Sequence, residues 1–339
     1  MSKILVTGGC GYIGSHTVVD LIDNGFEVIS VDNLSNSSES VLDGIEAITG
    51  KRVKNYNIDL CWEEATHQVF EEHPDIEGVI HFAALKLVGE SVQQPIRYFR
   101  NNLNSLLNLL DCMARYEVPN LIFSSSCSVY GNTTDLPVTE DTPLQEAESP
   151  YARTKQMGEQ IIRDFARVHP RHKSILLRYF NPAGAHESGL IGESPTNLAS
   201  NLVPVITETA IGKRKEMTVF GDDYDTRDGS CIRDYIHVMD LANAHTRGLQ
   251  YLLEEKNSDN LEVFNLGIGE GVTVLEAINA FMMVTAQPLS YRIGERRPGD
   301  VVAIYADNSR AAEQLGWEPM RDIRDIMRTA WEWEKRRSK

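Results

Sequence analysis

Tyr151 and Lys155 stand four positions apart in the segment Ser149-Pro-Tyr-Ala-Arg-Thr-Lys155. In a helix, positions i and i+4 share a face, so this spacing sets an ammonium beside a phenol. A free tyrosine, with a pKa of about 10, is a poor base at neutral pH. A fixed positive charge nearby favours the phenolate and is expected to lower that value. The product would be a general base able to take a proton from a sugar or alcohol hydroxyl. Such pairs also occur on solvated helix faces, so this one gains its meaning from two other features. A glycine-rich turn opens the chain, and a serine-rich segment, Ser124-Ser-Ser-Cys-Ser128, lies upstream of Tyr151.

The glycine turn follows the apolar run Lys3-Ile-Leu-Val-Thr7 and reads Gly8-Gly-Cys-Gly11-Tyr12-Ile13-Gly14, with a helical pattern from Ser15 to Asn24. Strand, glycine turn and helix in that order are the context that a dinucleotide-binding fingerprint needs. Gly8 permits the tight turn, Gly11 lets the backbone approach a pyrophosphate, and Gly14 lets the helix pack closely on the strand. The helix start, at Tyr12 and Ile13, offers free N–H groups and a partial positive charge to phosphates. The spacing G-x-x-G-x-x-G differs from the commoner G-x-G-x-x-G. The next run, Glu27-Val-Ile-Ser-Val-Asp32, ends on an acid placed to meet the adenosine ribose hydroxyls. Asn33, Leu34 and Ser35 follow, with no arginine. Asp32 would accept from the diol and repel a 2′-phosphate, which favours NAD over NADP.

These residues need a frame, and the alternation of apolar runs with helical patterns supplies one. Further runs span Val53 to Leu60, Gly78 to Ala84, Asn120 to Ser124 and Lys173 to Phe180, with helical stretches at Ile96–Tyr116 and Tyr151–Val168. The pattern predicts an α/β fold, a Rossmann-type doubly wound parallel sheet covered on both faces. Ligands of such sheets gather beyond the carboxyl ends of the strands. The glycine turn, Phe82-Ala83-Ala84 and Ser124-Ser125-Ser126 all end strands, and Asp59 and Leu60 close the third one, where polar groups can reach an adenine. A boundary falls near residue 181: residues 1–180 form the dinucleotide-binding unit and residues 181–339 a smaller α/β substrate lobe. The later run Val263-Phe-Asn-Leu-Gly267 can return to the large sheet, so a segment near 234–267 completes the first unit. The stretches from 189 to 201 and from 221 to 229 read as functional loops.

Composition sets limits. Of 339 residues, 42 % are hydrophobic and 24 % charged, ordinary for a globular protein. A formal charge of −16 argues against nucleic acid or an anionic membrane as partner. The N-terminal apolar run is too short for a signal segment, and nothing approaches the ~18 continuous apolar residues of a membrane span. Cys10, Cys61, Cys112, Cys127 and Cys231 show no paired spacing and read as free thiols in a reducing cytoplasm. Cys127 borders the serine strand but is expected to be an inert packing residue. No metal site is assigned.

Several motifs together resemble one family. They are Thr7-Gly-Gly-Cys-Gly-Tyr-Ile-Gly-Ser15, Asp32-Asn33, His81 to Ser91, Ser124-Ser-Ser-Cys-Ser-Val-Tyr-Gly131, Tyr151-x-x-x-Lys155, Leu177 to Gly184, Arg227 to His237, and Arg296-Arg-Pro-Gly-Asp300. Across nearly the whole length the chain resembles the UDP-glucose 4-epimerase family of extended short-chain dehydrogenases/reductases. The resemblance implies a retained NAD and a UDP-sugar substrate in galactose metabolism. Tyr151 would take the 4-hydroxyl proton while the C4 hydride moves to the nicotinamide; the 4-ketose then turns and receives the hydride on its other face. Lys155 would bond the nicotinamide ribose and lower the Tyr151 pKa, and Ser126 would bridge the 4-oxygen and Tyr151. Lys86, Asn101, Ser124 and Phe180 match further cofactor contacts. Ser128, Asn181, Asn201, Leu202, Thr218, Val219, Phe220, Arg233, Arg297 and Asp300 match the UDP-sugar side, with Phe220 beside the uracil and the two guanidinium groups suited to a pyrophosphate. Ile304 falls on the position that gates N-acetylated sugars. A homodimer through the helices Ile96–Tyr116 and Tyr151–Val168 is implied as well.

Other readings stay open at this point. Nucleotide-sugar 4,6-dehydratases need an adjacent Asp-Glu pair after the serine strand, where this chain has Ser126-Cys-Ser-Val129. A UDP-glucuronate epimerase or decarboxylase shares the core chemistry. A non-catalytic nucleotide sensor would not require the intact Ser126, Tyr151 and Lys155.

Overall fold

Strand and helix alternate from the first residues. The chain runs through β1 (Lys3–Thr7), α1 (Tyr12–Asp23), β2 (Glu27–Val31), α2 (Ser40–Thr49), β3 (Lys54–Tyr56), α3 (Glu63–Glu72) and β4 (Ile76–His81). It continues with α4 (Val88–Gln93), α5 (Pro95–Arg115), β5 (Asn120–Ser124), a 3₁₀ turn (Cys127–Tyr130), α6 (Pro150–Val168) and β6 (Lys173–Tyr179). Beyond these lie β7 (Asn181–Ala183), α7 (Leu202–Ala210), β8 (Met217–Phe220), β9 (Ile232–Arg233), β10 (Tyr235–His237), α8 (Val238–Leu253) and β11 (Leu261–Leu266). The last elements are β12 (Val272–Thr273), α9 (Val274–Thr285), β13 (Tyr291–Gly294), β14 (Ala303–Ile304), α10 (Ser309–Leu315) and α11 (Ile323–Arg337). This computed structural model describes residues 1–195, 199–297 and 300–339. Residues 196–198 of the loop read from 189 to 201, and Pro298 and Gly299 of the Arg296–Asp300 motif, lie outside the described residues.

Seven strands form one sheet in the order β11-β6-β5-β4-β1-β2-β3, every neighbouring pair parallel. Reversal of strand order beside β1 creates the crevice in which such sheets hold ligands. The strands read as unbroken apolar runs because both faces are covered. Ile4, Val6, Ile80, Ile122, Ile175 and Leu177 point into one core with α1, α2 and α8. The intervening Leu5, Val79, Leu121, Phe123 and Leu176 point into the other, with α3, α5 and α6. Fully burying each such side chain stabilises the fold by about 1.5–3 kcal/mol. The third strand is shorter than the run from 53 to 60 suggested. β3 is an edge strand, and after Tyr56 the chain turns, the Ile58 N–H donating to the Tyr56 carbonyl at 3.0 Å.

Past Tyr179 the elements build a core of their own, separate from the two on the large sheet. Val203 and Ile206 of α7, Val219 of β8, Ile278 and Phe281 of α9 and Met327 and Trp331 of α11 pack together. The chain does not stay there: α8 covers the first core and β11 pairs with β6. A fourth, small cluster of Val129, Tyr130, Val138, Phe180, Ile304 and Ala306 joins the 3₁₀ turn to β14. Among the described residues, no helix is long and apolar enough to cross a membrane.

At the glycine turn, α1 sits so close to the loop that a Cβ on Gly14 would fall 2.1 Å from the Gly8 carbonyl oxygen. Backbone cannot yield as a side chain does. Gly14→Ala is therefore expected to cost about 1–3 kcal/mol in chemical denaturation. A variant as stable as the parent would contradict this close approach of helix and turn.

Candidate active site

Helix α6 starts where it does because of its cap. The Ser149 hydroxyl accepts from the Ala152 N–H at 3.1 Å, and Pro150 fills the first helical position. Tyr151 and Lys155 consequently lie on the first two turns and share a face. Lys155 is only 5 % exposed. Its Nζ donates to the Ser124 carbonyl at 2.6 Å, lies 4.9 Å from the Phe123 ring centre and 6.0 Å from that of Tyr151. β5 thus ends directly against the ammonium. Ser126, two residues on, is extended and caps the 3₁₀ turn, its Oγ accepting from the Ser128 N–H at 3.2 Å and the Ser128 hydroxyl at 3.0 Å. The Ser124 hydroxyl shares a hydrogen bond with Tyr179.

The electrostatics correct one expectation. In the protein alone the Tyr151 phenol is pushed well above its ordinary value, not below it. Burial is the main cause, with Tyr179 adding to it, and the Ser126 hydroxyl opposes them only in part. Lys155, bonded to the Ser124 carbonyl, is itself affected: burial pushes its pKa down to about 8, with Glu159 partly restoring it. Cys127, by contrast, behaves as expected: burial pushes its thiol up to about 12, far from a thiolate.

The glycine turn and its surroundings fit a dinucleotide. Gly8 has φ +70°, and a Cβ there would meet the Ala83 nitrogen at 3.0 Å. No side chain caps the start of α1, so its first N–H groups at Tyr12, Ile13 and Gly14 face the turn. Asp32 follows β2 with its carboxylate aligned by the N–H groups of Cys10 (3.1 Å) and Leu34 (2.9 Å) and the Ser37 hydroxyl (2.8 Å). Asn33 accepts from the Ser35 N–H at 3.1 Å. Asp59 accepts from the Cys61 N–H at 2.9 Å, and the carbonyl of the buried Leu60 accepts from Asn108 at 2.8 Å. Phe82 and Ala83 are tied to Thr7 at the end of β1, at 3.1 and 3.3 Å; Ala84 follows them. Asn101 lies on α5 and Phe180 is buried just past β6. Lys86 instead reaches Glu193 (3.5 Å), and the Tyr12 hydroxyl donates to the Gly184 carbonyl (2.7 Å), so both tie this turn to the second lobe.

Residues matched to the UDP-sugar form two groups. Asn181 opens β7, its N–H donating to the Asp234 carbonyl at 3.0 Å. Ile304 of β14 registers with Arg233 of β9, whose guanidinium bonds the carbonyls of Ile232 and Val301, both at 2.8 Å, and Asp300 at 3.3 Å. In the second group, Thr218, Val219 and Phe220 form the end of β8, and the Arg297 guanidinium stacks 4.5 Å from the Phe220 ring centre. Asn201 precedes Leu202 at the start of α7 and donates to Glu193 at 3.2 Å.

Glu159, Arg178, Tyr130 and Asn265 were not read from the sequence, yet they make a buried polar network beside these groups. One signal was available: Glu159 is the next i+4 step on the face that carries Tyr151 and Lys155.

The depressed Lys155 pKa has a consequence for stability. An unfolded lysine titrates near 10.4. Between about 8 and that value the unfolded chain binds more protons at this site, so stability rises with pH. Relative to Lys155→Met, which carries no buried charge, the parent should gain stability from pH 8 to pH 10. Parallel pH–stability curves for the two proteins would contradict the buried ammonium.

Comparison with known proteins agrees with this geometry. The family model described as GDP-mannose 4,6 dehydratase matches residues 5–330. A UDP-glucose 4-epimerase of Bacillus subtilis is 47 % identical over 331 residues, covering 98 % of this chain and 96 % of that protein. The UDP-glucose 4-epimerase from Bifidobacterium longum, solved with NAD+ and UDP, superposes with a TM-score of 0.94 at 46 % identity, covering 99 % of each chain. That from Stenotrophomonas maltophila, with bound NAD and formylated UDP-arabinopyranose, gives 0.96 at 43 % identity, covering 100 % of this chain and 99 % of the other. With the glycine turn, the serine strand end and the Tyr151–Lys155 face assembled at one crevice, this chain belongs to the UDP-glucose 4-epimerase family.

Proposed function

We propose that the protein interconverts UDP-galactose and UDP-glucose by inverting C4 through a transient 4-keto sugar, a reaction of galactose metabolism. The observation that carries the reading is the placement of Ser126, Tyr151 and Lys155 beside the end of β5, on the same edge of the sheet as the glycine turn. Bound NAD supplies the hydride sink and source and, with its positive nicotinamide, a field favouring the phenolate. Gly8, Gly11, Gly14, Asp32 and Asp59 are the residues that would hold it, with Lys155 and Lys86 near its riboses and phosphates. Tyr151 takes the 4-hydroxyl proton as the C4–H pair leaves, forming the ketone. When hydride returns to the opposite face, Tyr151 gives the proton back, so nothing is oxidised overall. Ser126 offers its hydroxyl to the 4-oxygen in both directions.

On this reading residues 1–180, with the later segment 234–267, hold the dinucleotide and the rest of 181–339 the UDP-sugar. The dehydratase alternative lacks support, because Ser126-Cys127-Ser128 carries no carboxylate to eliminate water. We place the protein in the cytoplasm as a homodimer joined by α5 and α6. Exposed Ile96 and Leu107 on α5 and Met157 on α6 give those helices an apolar outer surface.

Tyr151→Phe removes one hydroxyl and little packing volume. Turnover should fall by about 10²–10⁴-fold with the fold and bound nucleotide retained. Near-normal turnover would remove Tyr151 from the role of base.

Substrate breadth turns on Ile304, which is 8 % exposed and packs with Phe180 and Val129 in the cluster behind Ser126. It is smaller than tyrosine but stiff at χ1. UDP-galactose should be the main substrate and UDP-N-acetylgalactosamine a detectable, poorer one. Ile304→Tyr should reduce the second activity more than the first; an unchanged ratio would show that Ile304 does not set the limit.

A further inference from the structure

One turn beyond Lys155, α6 carries Glu159, 2 % exposed. Its carboxylate accepts from Arg178 Nε at 2.9 Å and Nη2 at 2.7 Å, a bidentate pair with both side chains 3 % exposed. The same carboxylate accepts from the Ser125 hydroxyl at 2.7 Å. Arg178 Nη1 also donates to the Tyr130 hydroxyl at 3.1 Å, which in turn donates to Asn265 at 2.6 Å. Lys155 holds the carbonyl of Ser124. Two successive residues of the strand end are therefore gripped from α6, and the far end of the 3₁₀ turn is gripped through Arg178. Ser126 lies between those grips.

We propose that Glu159, locked by Arg178, is a positioning residue for this site: it fixes Ser126 from both sides and faces Lys155 with a negative charge. The proposal rests on the epimerase reading and deepens it. A buried ion pair is weak evidence of stabilisation by itself, since burying two charges costs about as much as their attraction returns. The placement is what matters. The other groups facing Lys155 are Tyr151 on α6 and His81 on β4; Tyr179 on β6, Cys127 on the 3₁₀ turn and Tyr98 of α5 in turn face Tyr151. Burial pushes His81 down to about 3, and Tyr179 and Cys127 each up to about 12, while the Tyr151 and Tyr98 phenols are raised too. All are neutral near pH 7, so among the described residues Glu159 is the anion that faces the ammonium.

The test compares the parent, Glu159→Gln and the double variant Glu159→Gln with Arg178→Met, each with its bound nucleotide. Lys155 is titrated by NMR of ¹³Cε-labelled lysine, assigned with Lys155→Met, beside the pH profile of kcat/KM and thermal stability. Removing the anion should lower the Lys155 midpoint in both variants, and further in Glu159→Gln, where the Arg178 cation is left unpaired. The alkaline limb of kcat/KM should move to lower pH with it. Arg178→Met removes the stranded guanidinium, so the double variant should regain stability while its midpoint stays below that of the parent. An unchanged midpoint, with only stability lost in Glu159→Gln and recovered in the double variant, would reduce the pair to a structural strut and overturn the proposal. The midpoint is read without turnover. A parent that fails to interconvert UDP-galactose and UDP-glucose would therefore count against the epimerase reading alone.

Discussion

A lysine ammonium buried to 5 % exposure must be met by fixed acceptors, and here the end of β5 supplies one. The bond from Lys155 to the Ser124 carbonyl draws α6 onto the serine strand and sets the distance between Tyr151 and Ser126. Everything else at the site supports that contact. The Ser149 cap starts α6 in the right phase, Glu159 answers the positive charge one turn away, and Arg178 keeps Glu159 in place. Because β5 is an interior strand of a parallel sheet covered on both faces, its end is held rigidly.

The same burial sets the direction of the acid–base chemistry. A desolvated phenol prefers to stay protonated, and in the protein alone burial outweighs the opposing hydrogen bond from Ser126. On the proposed epimerase reading, the phenolate would be favoured once further positive charge and a hydrogen-bonding substrate are in place, which would couple proton abstraction to occupancy.

Much of this was legible in the sequence, for reasons tied to particular residues. Lys3–Thr7 and Asn120–Ser124 were read residue for residue because strands buried on both faces leave continuous apolar runs. β3 was overextended because an edge strand lacks that constraint. The spacing of Tyr151 and Lys155 placed both on one helix face, but spacing carries no information on depth, so the sign of the phenol shift was missed. Arg178 sits inside the apolar strand β6 and Glu159 on a helix elsewhere in the chain; only folding brings them together. The two-residue strands β9 and β14 are too short to show any period, so Arg233 and Ile304 were reached through family resemblance alone.

The central claim is that one protein carries both the nucleotide and the means of inverting C4. It is tested most directly by incubating purified protein with UDP-galactose, without added nucleotide, and identifying the sugars and the nucleotide released on denaturation. UDP-glucose should accumulate until the two sugars reach equilibrium, and the released nucleotide should be NAD, not NADP. Protein that releases NAD yet leaves UDP-galactose unchanged would contradict it.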